Sequence, residues 1–151
     1  MVPVLLDDRL RWQRLLDDRS PIRPAVEELL RFDDNRGPGM PRYLTDDIEL
    51  GGEVLPKDSI TVSVVASANR DERMFPHPDH LDLTRTPNRH LAFGAGAHSC
   101  IGQTLARTEL HVALDILLDR LPDLALAVPS SELARRAGVL TDTFEQVPVV
   151  W

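Results

Sequence analysis

The sequence predicts a mainly helical α+β fold with small β-sheets. Apolar residues recur at helical spacing in three segments, the longest at 101–121, and alternate with polar residues over 42–65. A polar stretch with three prolines, at 75–89, separates the alternating pattern from the longest helix. Because a chain of 151 residues can bury a core of its own, we expect helices, a small sheet, a long loop, a buried helix and a second small sheet, in that order.

Two short helices are predicted near the start of the chain. Residues 9–18 place leucines among charged residues at helical spacing, as in an amphipathic helix. Ser20 and Pro21 then give a cap-like break, and Pro24 can occupy a first helical turn. The second helix is expected at 25–32, with three apolar residues on its inner face: Val26, Leu29 and Leu30.

The next region predicts a loop followed by antiparallel strands. Residues 33–41 contain two glycines and two prolines, which is the composition of a loop. The alternating pattern that follows is broken by Gly51-Gly52, a pair that favours a tight hairpin turn. Residues 59–64 alternate again, so one face of this strand is expected to be buried. A short helix is expected over 66–73.

The segment 101–121 is apolar on nearly all sides, which predicts a largely buried helix that ends before Pro122. The preceding stretch, 75–89, is long for a loop in a compact domain. We therefore expect it to be functional or to be held in place by other residues. Residues 124–151 are predicted to form short strands and turns.

The composition excludes some classes of partner. The formal net charge of −7 argues against nucleic acid or an anionic membrane surface. No window approaches the ~20 apolar residues of a membrane span, and the first residues lack the basic start and apolar run of a signal peptide. The single cysteine cannot form an internal disulfide. We therefore expect a cytoplasmic protein whose thiol is free for other chemistry.

The candidate chemistry lies in residues 93–102, Phe-Gly-Ala-Gly-Ala-His-Ser-Cys-Ile-Gly. Cys100 stands at the predicted start of the longest helix, where free N–H groups and the helix dipole favour a thiolate. The nearby glycines let the backbone approach a flat ligand closely, and His98 can donate to a carboxylate. The loop therefore suits one face of a large planar ligand. The alternative is a buried, inert cysteine beside a glycine-rich turn.

The same segment closely resembles the haem-ligand loop of the cytochrome P450 monooxygenases. The family pattern Phe-x-x-Gly-x-x-x-Cys-x-Gly is filled here by Phe93, Gly96, Cys100 and Gly102. The resemblance implies that Cys100 is the thiolate axial ligand of the iron of haem b, and that His98 holds a haem propionate. It gives no residue of this chain a catalytic role, and it implies the following haem-binding set: Arg42, Phe93, Gly94, His98, Cys100, Gly102 and Ala106.

Two further segments support the resemblance. Residues 27–31, Glu-Glu-Leu-Leu-Arg, resemble the family's Glu-x-x-Arg helix, in which the ion pair, here Glu28 and Arg31, is buried and braces the haem-side core. The alternative is a surface salt bridge worth ~0.5 kcal/mol or less. Arg42 falls where the family carries a second propionate-binding arginine, whose planar fork suits a carboxylate. The alternative for Arg42 is a solvated loop arginine.

The resemblance matches only the C-terminal, haem-proximal portion of the family's fold. Residues 1–151 are therefore expected to be this portion of a cytochrome P450 domain, with the ligand loop at 93–102 followed by the buried helix at 101–121. The family's long distal helix, with its acid–threonine pair, is not found in the sequence. A missing N-terminal chain would have to supply that helix.

Two positions depart from the family pattern. At the place of His80 the family usually has an arginine, which closes a network with the Glu-x-x-Arg pair. Histidine is shorter and only partly charged at neutral pH, so this network is expected to be weakened. At 33–36, where bacterial members usually continue through Pro-Val, this chain has Asp-Asp-Asn-Arg, and no substrate contacts are assigned.

The resemblance implies a haem-thiolate monooxygenase. Such an enzyme reduces molecular oxygen and inserts one oxygen atom into a small organic substrate, with electrons from a ferredoxin or reductase. Two alternatives stay open for this chain: a non-catalytic haem-binding fragment, and a degenerate product without activity. Without the missing part, one side of the helix at 101–121 would be exposed, which predicts aggregation or a partner chain.

Overall fold

The computed structural model describes residues 1–33, 39, 41–136 and 143–151. Within these residues there are five α-helices and three two-stranded antiparallel sheets, which confirms the predicted α+β class. The helices are α1 (Val2–Leu6), α2 (Arg9–Asp17), α3 (Ile22–Phe32), α4 (Val65–Ala68) and α5 (Gln103–Arg120). The paired strands are β1 (Pro41–Tyr43) with β4 (Ile60–Val62), β2 (Ile48–Leu50) with β3 (Glu53–Leu55), and β5 (Ala125–Leu126) with β6 (Val149–Val150).

Local sequence explains where the first helices begin. The carboxylate of Asp8 caps α2 by accepting a hydrogen bond from the N–H of Leu10 at 3.0 Å. Helix α3 begins at Ile22, before the predicted start, because Pro24 fits in a first turn, where its missing N–H costs no hydrogen bond. Helix α1 has no counterpart among the predicted helices, since its five residues are too few to show a helical period.

The predicted hairpin turn between β2 and β3 is present. Gly51 and Gly52 have φ angles of 62° and 88°, a left-handed conformation that glycine adopts without a steric penalty. Two consecutive residues with positive φ match the twist of the flanking strands, which explains why this pair closes the hairpin.

The core lies between the first three helices and one face of α5. Trp12 from α2, Leu29 from α3 and Leu118 from α5 are among its buried residues, and Leu81 and Leu83 join it from the long loop. The indole N–H of Trp12 also donates to the carbonyl of Pro122 at 2.9 Å. This hydrogen bond ties α2 to the chain just after α5, so the packing of α5 is held at its C-terminal end as well as along its length.

Helix α5 is less buried than its sequence predicts. Leu114 and Leu118 are buried, whereas Leu105 is 63%, Val112 50% and Ile116 49% exposed. The expectation of a largely buried helix is therefore not met in this chain, whereas the exposure of one side agrees with the expectation for a chain without the rest of the fold. Among the described helices, α3 is the one that makes extensive contacts with α5.

The strand at 59–64 shows the same discrepancy. Its alternation correctly predicts β4, but Ile60 and Val62 are exposed at 61% and 43%, so the expected buried face is not formed. Strand β4 pairs at its edge with β1, and edge pairing alone does not cover a face of a two-stranded sheet.

The remaining connections are short or irregular. Residues 75–89 contain no helix or strand, as predicted, and the expected helix at 66–73 is reduced to α4. The C-terminal region adds β5, β6 and a 3₁₀ turn at Ser130–Glu132. Most of the predicted loop at 33–41, including the departure at 34–36, lies outside the described residues. Among the helices that the structure describes, none has the length and apolar character needed to cross a membrane.

Candidate functional site

The cysteine loop is a compact turn that ends at the start of α5. A 3₁₀ helix, Gly96–His98, precedes Cys100, and the N–H of Cys100 donates to the carbonyl of Phe93 at 2.8 Å. Gly94 and Gly96 have φ angles of 70° and 73°, which other residues rarely adopt. The glycines at these two positions are therefore required by the path of the backbone around the cysteine.

The thiol of Cys100 is free and exposed, so the cysteine is not buried as the alternative supposed. Little side-chain bulk surrounds it. A Cβ atom added at Gly102 would lie 3.8 Å from the Cys100 sulfur, and one added at Gly96 would meet no atom within 4 Å. The sulfur precedes the first turn of α5, where backbone N–H groups have no partner within the helix.

The remaining residues of the predicted haem-binding set are spread over three elements. His98 is exposed at the end of the 3₁₀ helix, and Ala106 is half-buried in the first turns of α5. Arg42 lies in the middle of the exposed strand β1, opposite Thr61 of β4. An assignment of Arg42 or His98 to a propionate stays a prediction.

The ring of Phe93 lies near the side chains of Arg107 and His90. The guanidinium carbon of Arg107 is 4.7 Å from the centroid of the Phe93 ring, a distance typical of a cation–π contact. The imidazole of His90 is tilted by 55° to the same ring, with 6.3 Å between the centroids. Phe93 is itself half-buried, so its position depends on these two neighbours.

Both neighbours of Phe93 are bound to one carboxylate, that of Glu27 in α3. The Nε and Nη2 atoms of Arg107 donate to Glu27 at 2.8 Å and 3.0 Å. His90 Nε2 lies 3.0 Å from Glu27 Oε2. Because the N–H of Ala92 donates to His90 Nδ1 at 3.2 Å, the ring proton lies on Nε2 and His90 donates to Glu27.

The electrostatics of this group follow from its burial. The side chain of His90 is only 2% exposed, and burial lowers the pKa of its imidazole below the ordinary value despite the hydrogen bond to Glu27. Burial alone would raise the pKa of Glu27, but hydrogen bonds from Arg107 and His90 hold that pKa below its ordinary value. The group therefore consists of a neutral histidine, a carboxylate and a guanidinium.

A second, fully buried network surrounds Glu28. Two atoms of Arg31, Nε and Nη2, donate to the Glu28 carboxylate at 2.8 Å each, and neither side chain is exposed. The pair is thus a buried one, unlike the surface salt bridge that was the alternative. Arg31 Nη1 donates to the carbonyls of Asn69 and Pro78 at 2.8 Å and 2.9 Å, which holds the long loop against α3.

The arginine that completes this network is Arg85. Its Nε atom lies 3.1 Å from both Glu28 oxygens, whereas His80 contributes its backbone carbonyl to Arg31 and Arg85 at 3.5 Å and 3.3 Å. The expectation that His80 weakens the network is therefore wrong. The resemblance to the family places the third member of the network at His80. In the structure, the side chain of Arg85 contacts Glu28, and only the backbone of His80 takes part.

Further donors satisfy the Glu28 carboxylate. The N–H of Asp82 and the side-chain amide of Asn88 each donate to it at 3.0 Å. Burial alone would raise the pKa of Glu28, but these bonds together with those from Arg31 and Arg85 lower it. The charged form is thus the stable one, and residues 75–89 are held in place by other residues, as expected for a loop of this length.

Sequence reasoning does not find the Glu27–Arg107 pair or the role of Arg85. Glu27 and Arg107 both lie in or beside segments that resemble the family, but they are 80 positions apart in the sequence. Arg85 is 57 positions from Glu28. A single sequence has no signal that joins residues at such separations across irregular connections.

Comparison with known proteins agrees with the geometry. The sequence profile of the family described as Cytochrome P450 matches residues 15–122. Nocardicin C N-oxygenase of Nocardia uniformis subsp. tsuyamanensis is 46% identical over 151 residues, which are 99% of this chain and 38% of that protein. Mycinamicin IV hydroxylase/epoxidase of Micromonospora griseorubida is 42% identical over 149 residues, covering 97% of this chain and 38% of that protein.

Solved structures are similar over the same extent. The mixed-function P450 MycG superposes with a TM-score of 0.94 at 40% identity, over 99% of this chain and 38% of that one. The LnmA cytochrome P450 hydroxylase of Streptomyces atroolivaceus superposes with a TM-score of 0.91 at 42% identity, over 99% of this chain and 39% of that one. The chain thus spans less than two fifths of the length of these relatives.

Proposed function

The chain belongs to the cytochrome P450 family, and on this premise we propose that it is the C-terminal, haem-proximal part of a haem-thiolate monooxygenase. The observation that carries the proposal is the exposed, free thiol of Cys100 at the start of α5, in a loop shaped by glycines. Members of this family hold haem through a cysteine thiolate. In this chain, Cys100 is the residue that fits this role.

The residues around Cys100 suit a large flat ligand. The backbone near Gly94 and Gly96 turns without side chains that would block the approach, and Gly102 leaves the sulfur accessible. Phe93 and Ala106 would line the proximal face of haem b. His98 and Arg42 would each bind a propionate. An imidazole N–H and a guanidinium can both donate hydrogen bonds to a carboxylate, and both residues are exposed.

When bound, the haem supplies the activation of molecular oxygen for insertion of one oxygen atom into a small organic substrate. The chain's own contribution is to hold the axial thiolate. The N–H groups at the start of α5 would stabilise the negative charge on the sulfur and so tune its donation to the iron. Electrons would come from a ferredoxin or reductase, as in bacterial relatives.

A second candidate function is haem binding without catalysis. It is favoured by the exposed apolar side of α5 and by the 38% coverage of the relatives. Substrate and oxygen would need a distal wall, which a further chain segment would provide. Under this second candidate function, the 151-residue chain binds haem through Cys100 but does not turn over substrate by itself.

The test is a ligand spectrum of the chain with added haemin, reduced under carbon monoxide. The strongly red-shifted main band of a thiolate-ligated haem is expected for the wild-type chain, and it should be lost in Cys100→Ala. The matched control is Ser99→Ala in the same loop, which should retain the band. An identical spectrum in wild type and Cys100→Ala would overturn the proposal. A thiolate band without substrate oxidation would favour the second candidate.

A further inference from the structure

The two groups that hold Phe93 converge on one carboxylate from another helix. Arg107 belongs to α5, His90 to the connection before the cysteine loop, and Glu27 to α3. The guanidinium and the imidazole therefore cannot move relative to the Phe93 ring without breaking hydrogen bonds to Glu27. This arrangement links both neighbours of the ring to a single carboxylate.

The backbone of Phe93 is hydrogen-bonded to the backbone of Cys100. The Phe93 carbonyl accepts the N–H of Cys100 at 2.8 Å. Within the loop, the N–H of Ser99 also donates to the carbonyl of Gly96 at 3.1 Å, whereas the bond from Cys100 to Phe93 joins the cysteine to the first residue of the turn. A shift of the Phe93 ring would thus displace the Cys100 amide, and the sulfur with it.

We propose that Glu27, Arg107 and His90 act together as positioning residues for Phe93, and through Phe93 for the Cys100 sulfur. This inference rests on the proposed function for its effect on haem, but not for its effect on the loop. With haem bound, a displaced sulfur would change its distance from the free N–H groups at the start of α5. Hydrogen bonds from N–H groups to a thiolate ligand set how strongly it donates to iron, and therefore the reduction potential of the haem.

The competing explanation is that this group only joins α3 to α5. A purely structural brace would change the stability of the whole chain, but it would not act selectively on the cysteine loop or on the haem. The two explanations differ in what they predict for the cysteine loop. Amide exchange at Cys100 tests this difference without haem, and the midpoint potential tests it with haem bound.

The first measurement is amide hydrogen exchange in the haem-free, full-length chain. In Arg107→Ala, exchange of the Cys100 N–H is expected to become about tenfold faster, equivalent to ~1.4 kcal/mol. The matched control is Arg73→Ala, which removes an arginine paired with Asp71 at 2.6 Å on an exposed surface. It should leave exchange at Cys100 unchanged. Equal exchange at Cys100 in wild type and Arg107→Ala would overturn the inference.

Two conservative variants test the proposal even if Arg107→Ala does not fold. Glu27→Gln keeps the shape of the anchor but loses its charge, and it should accelerate exchange at Cys100 by a smaller factor. Arg107→Lys keeps the charge but loses the planar face over Phe93, so it should fail to restore full protection. Full protection in Arg107→Lys would show that charge alone suffices and would contradict a positioning role through the Phe93 ring.

The second measurement is the midpoint potential of the haem-loaded chain in a double-mutant cycle. Arg107→Ala should shift the potential in the wild-type background and have a much smaller effect in a Phe93→Leu background, because both substitutions act through one ring. Additive shifts would overturn the inference. If no variant, including wild type, shows thiolate ligation, then the proposed function fails, while the exchange experiment still decides the positioning of Cys100.

Discussion

At the scale of single residues, the buried carboxylate of Glu28 explains how an irregular loop is held against α3 in this fold. A carboxylate removed from water loses several kcal/mol of solvation unless donors replace the water. Here Arg31, Arg85, Asn88 and the amide of Asp82 all donate to Glu28. Three of these donors belong to the long loop, so the loop is fixed by the need to solvate one charge.

The different roles of Arg85 and His80 can be tested by substitution. Arg85→Ala should lower the free energy of unfolding by roughly 3 kcal/mol or more, because it leaves a buried carboxylate short of a charged donor. His80→Ala is the matched control, and it should change the unfolding free energy by less than about 0.5 kcal/mol, since only the backbone of His80 joins the network. Urea denaturation of both variants checks the prediction. A larger cost for His80→Ala would contradict it.

The pH dependence of stability follows from His90 and the two glutamates. The folded-state pKa of His90 lies below 6.5, and those of Glu27 and Glu28 lie below 4.5. In each case the unfolded chain binds protons more readily, so stability is lost as the pH falls. The loss should begin below pH 6.5 through His90 and continue below pH 4.5 through the glutamates.

Denaturation of the wild-type chain and of His90→Gln over a pH series would measure this effect. The variant should lose the part of the slope between pH 6.5 and 4.5 that His90 contributes, and it should retain the steeper part at lower pH. Replacement of the exposed His80 by glutamine serves as the control and should leave the upper part of the slope in place. Equal slopes in wild type and His90→Gln would refute the assignment of a neutral, buried histidine.

At the scale of elements, α5 has two sides that differ in environment despite similar composition. One side presents Leu114 and Leu118 to the core, and the other presents Leu105, Val112 and Ile116 to solvent. The hydrophobic residues on the exposed side gain little from folding in this chain, because their apolar area stays in contact with water.

Substitutions on the two sides of α5 should therefore differ in cost. Leu118→Ala is expected to lower the unfolding free energy by about 2–5 kcal/mol through the lost contacts and the cavity that it leaves. Ile116→Ala should cost less than about 1 kcal/mol, because nearly half of its surface is exposed and alanine favours helix. Thermal or urea unfolding of both variants compares them. Similar costs would show that the second side of α5 is covered in solution.

At the scale of the whole molecule, exposed apolar residues lie on α5 and on the sheet of β1 and β4. Tyr43 on β1 and Ile60 on β4 are exposed in addition to the side of α5. Soluble monomers rarely expose large contiguous apolar areas. Together with the 38% coverage of the relatives, this surface is consistent with a chain that packs against further polypeptide in the complete fold.

We expect the isolated chain to self-associate, or to bind a partner chain, through this surface. Sedimentation of the wild-type chain should show concentration-dependent association, and the double substitution of Val112 and Ile116 by lysine should reduce it. Replacement of two exposed neutral residues of the same helix, Thr104 and Thr108, by lysine adds the same charge and is the control. A monomer that melts sharply and cooperatively without haem would contradict the expectation.

The sequence by itself determined the features that depend on neighbouring residues. The helical segments, the Gly51-Gly52 turn, the family and the cysteine loop all follow from short patterns, because glycine conformation and apolar spacing act over a few residues. Only the tertiary structure decided which distant groups meet: Arg85 rather than His80 at Glu28, and Arg107 with His90 at Glu27. It also decided which side of α5 is exposed. The physical reason is that burial and ion pairing depend on how irregular connections fold back, and such connections have no period from which residue separations can be predicted.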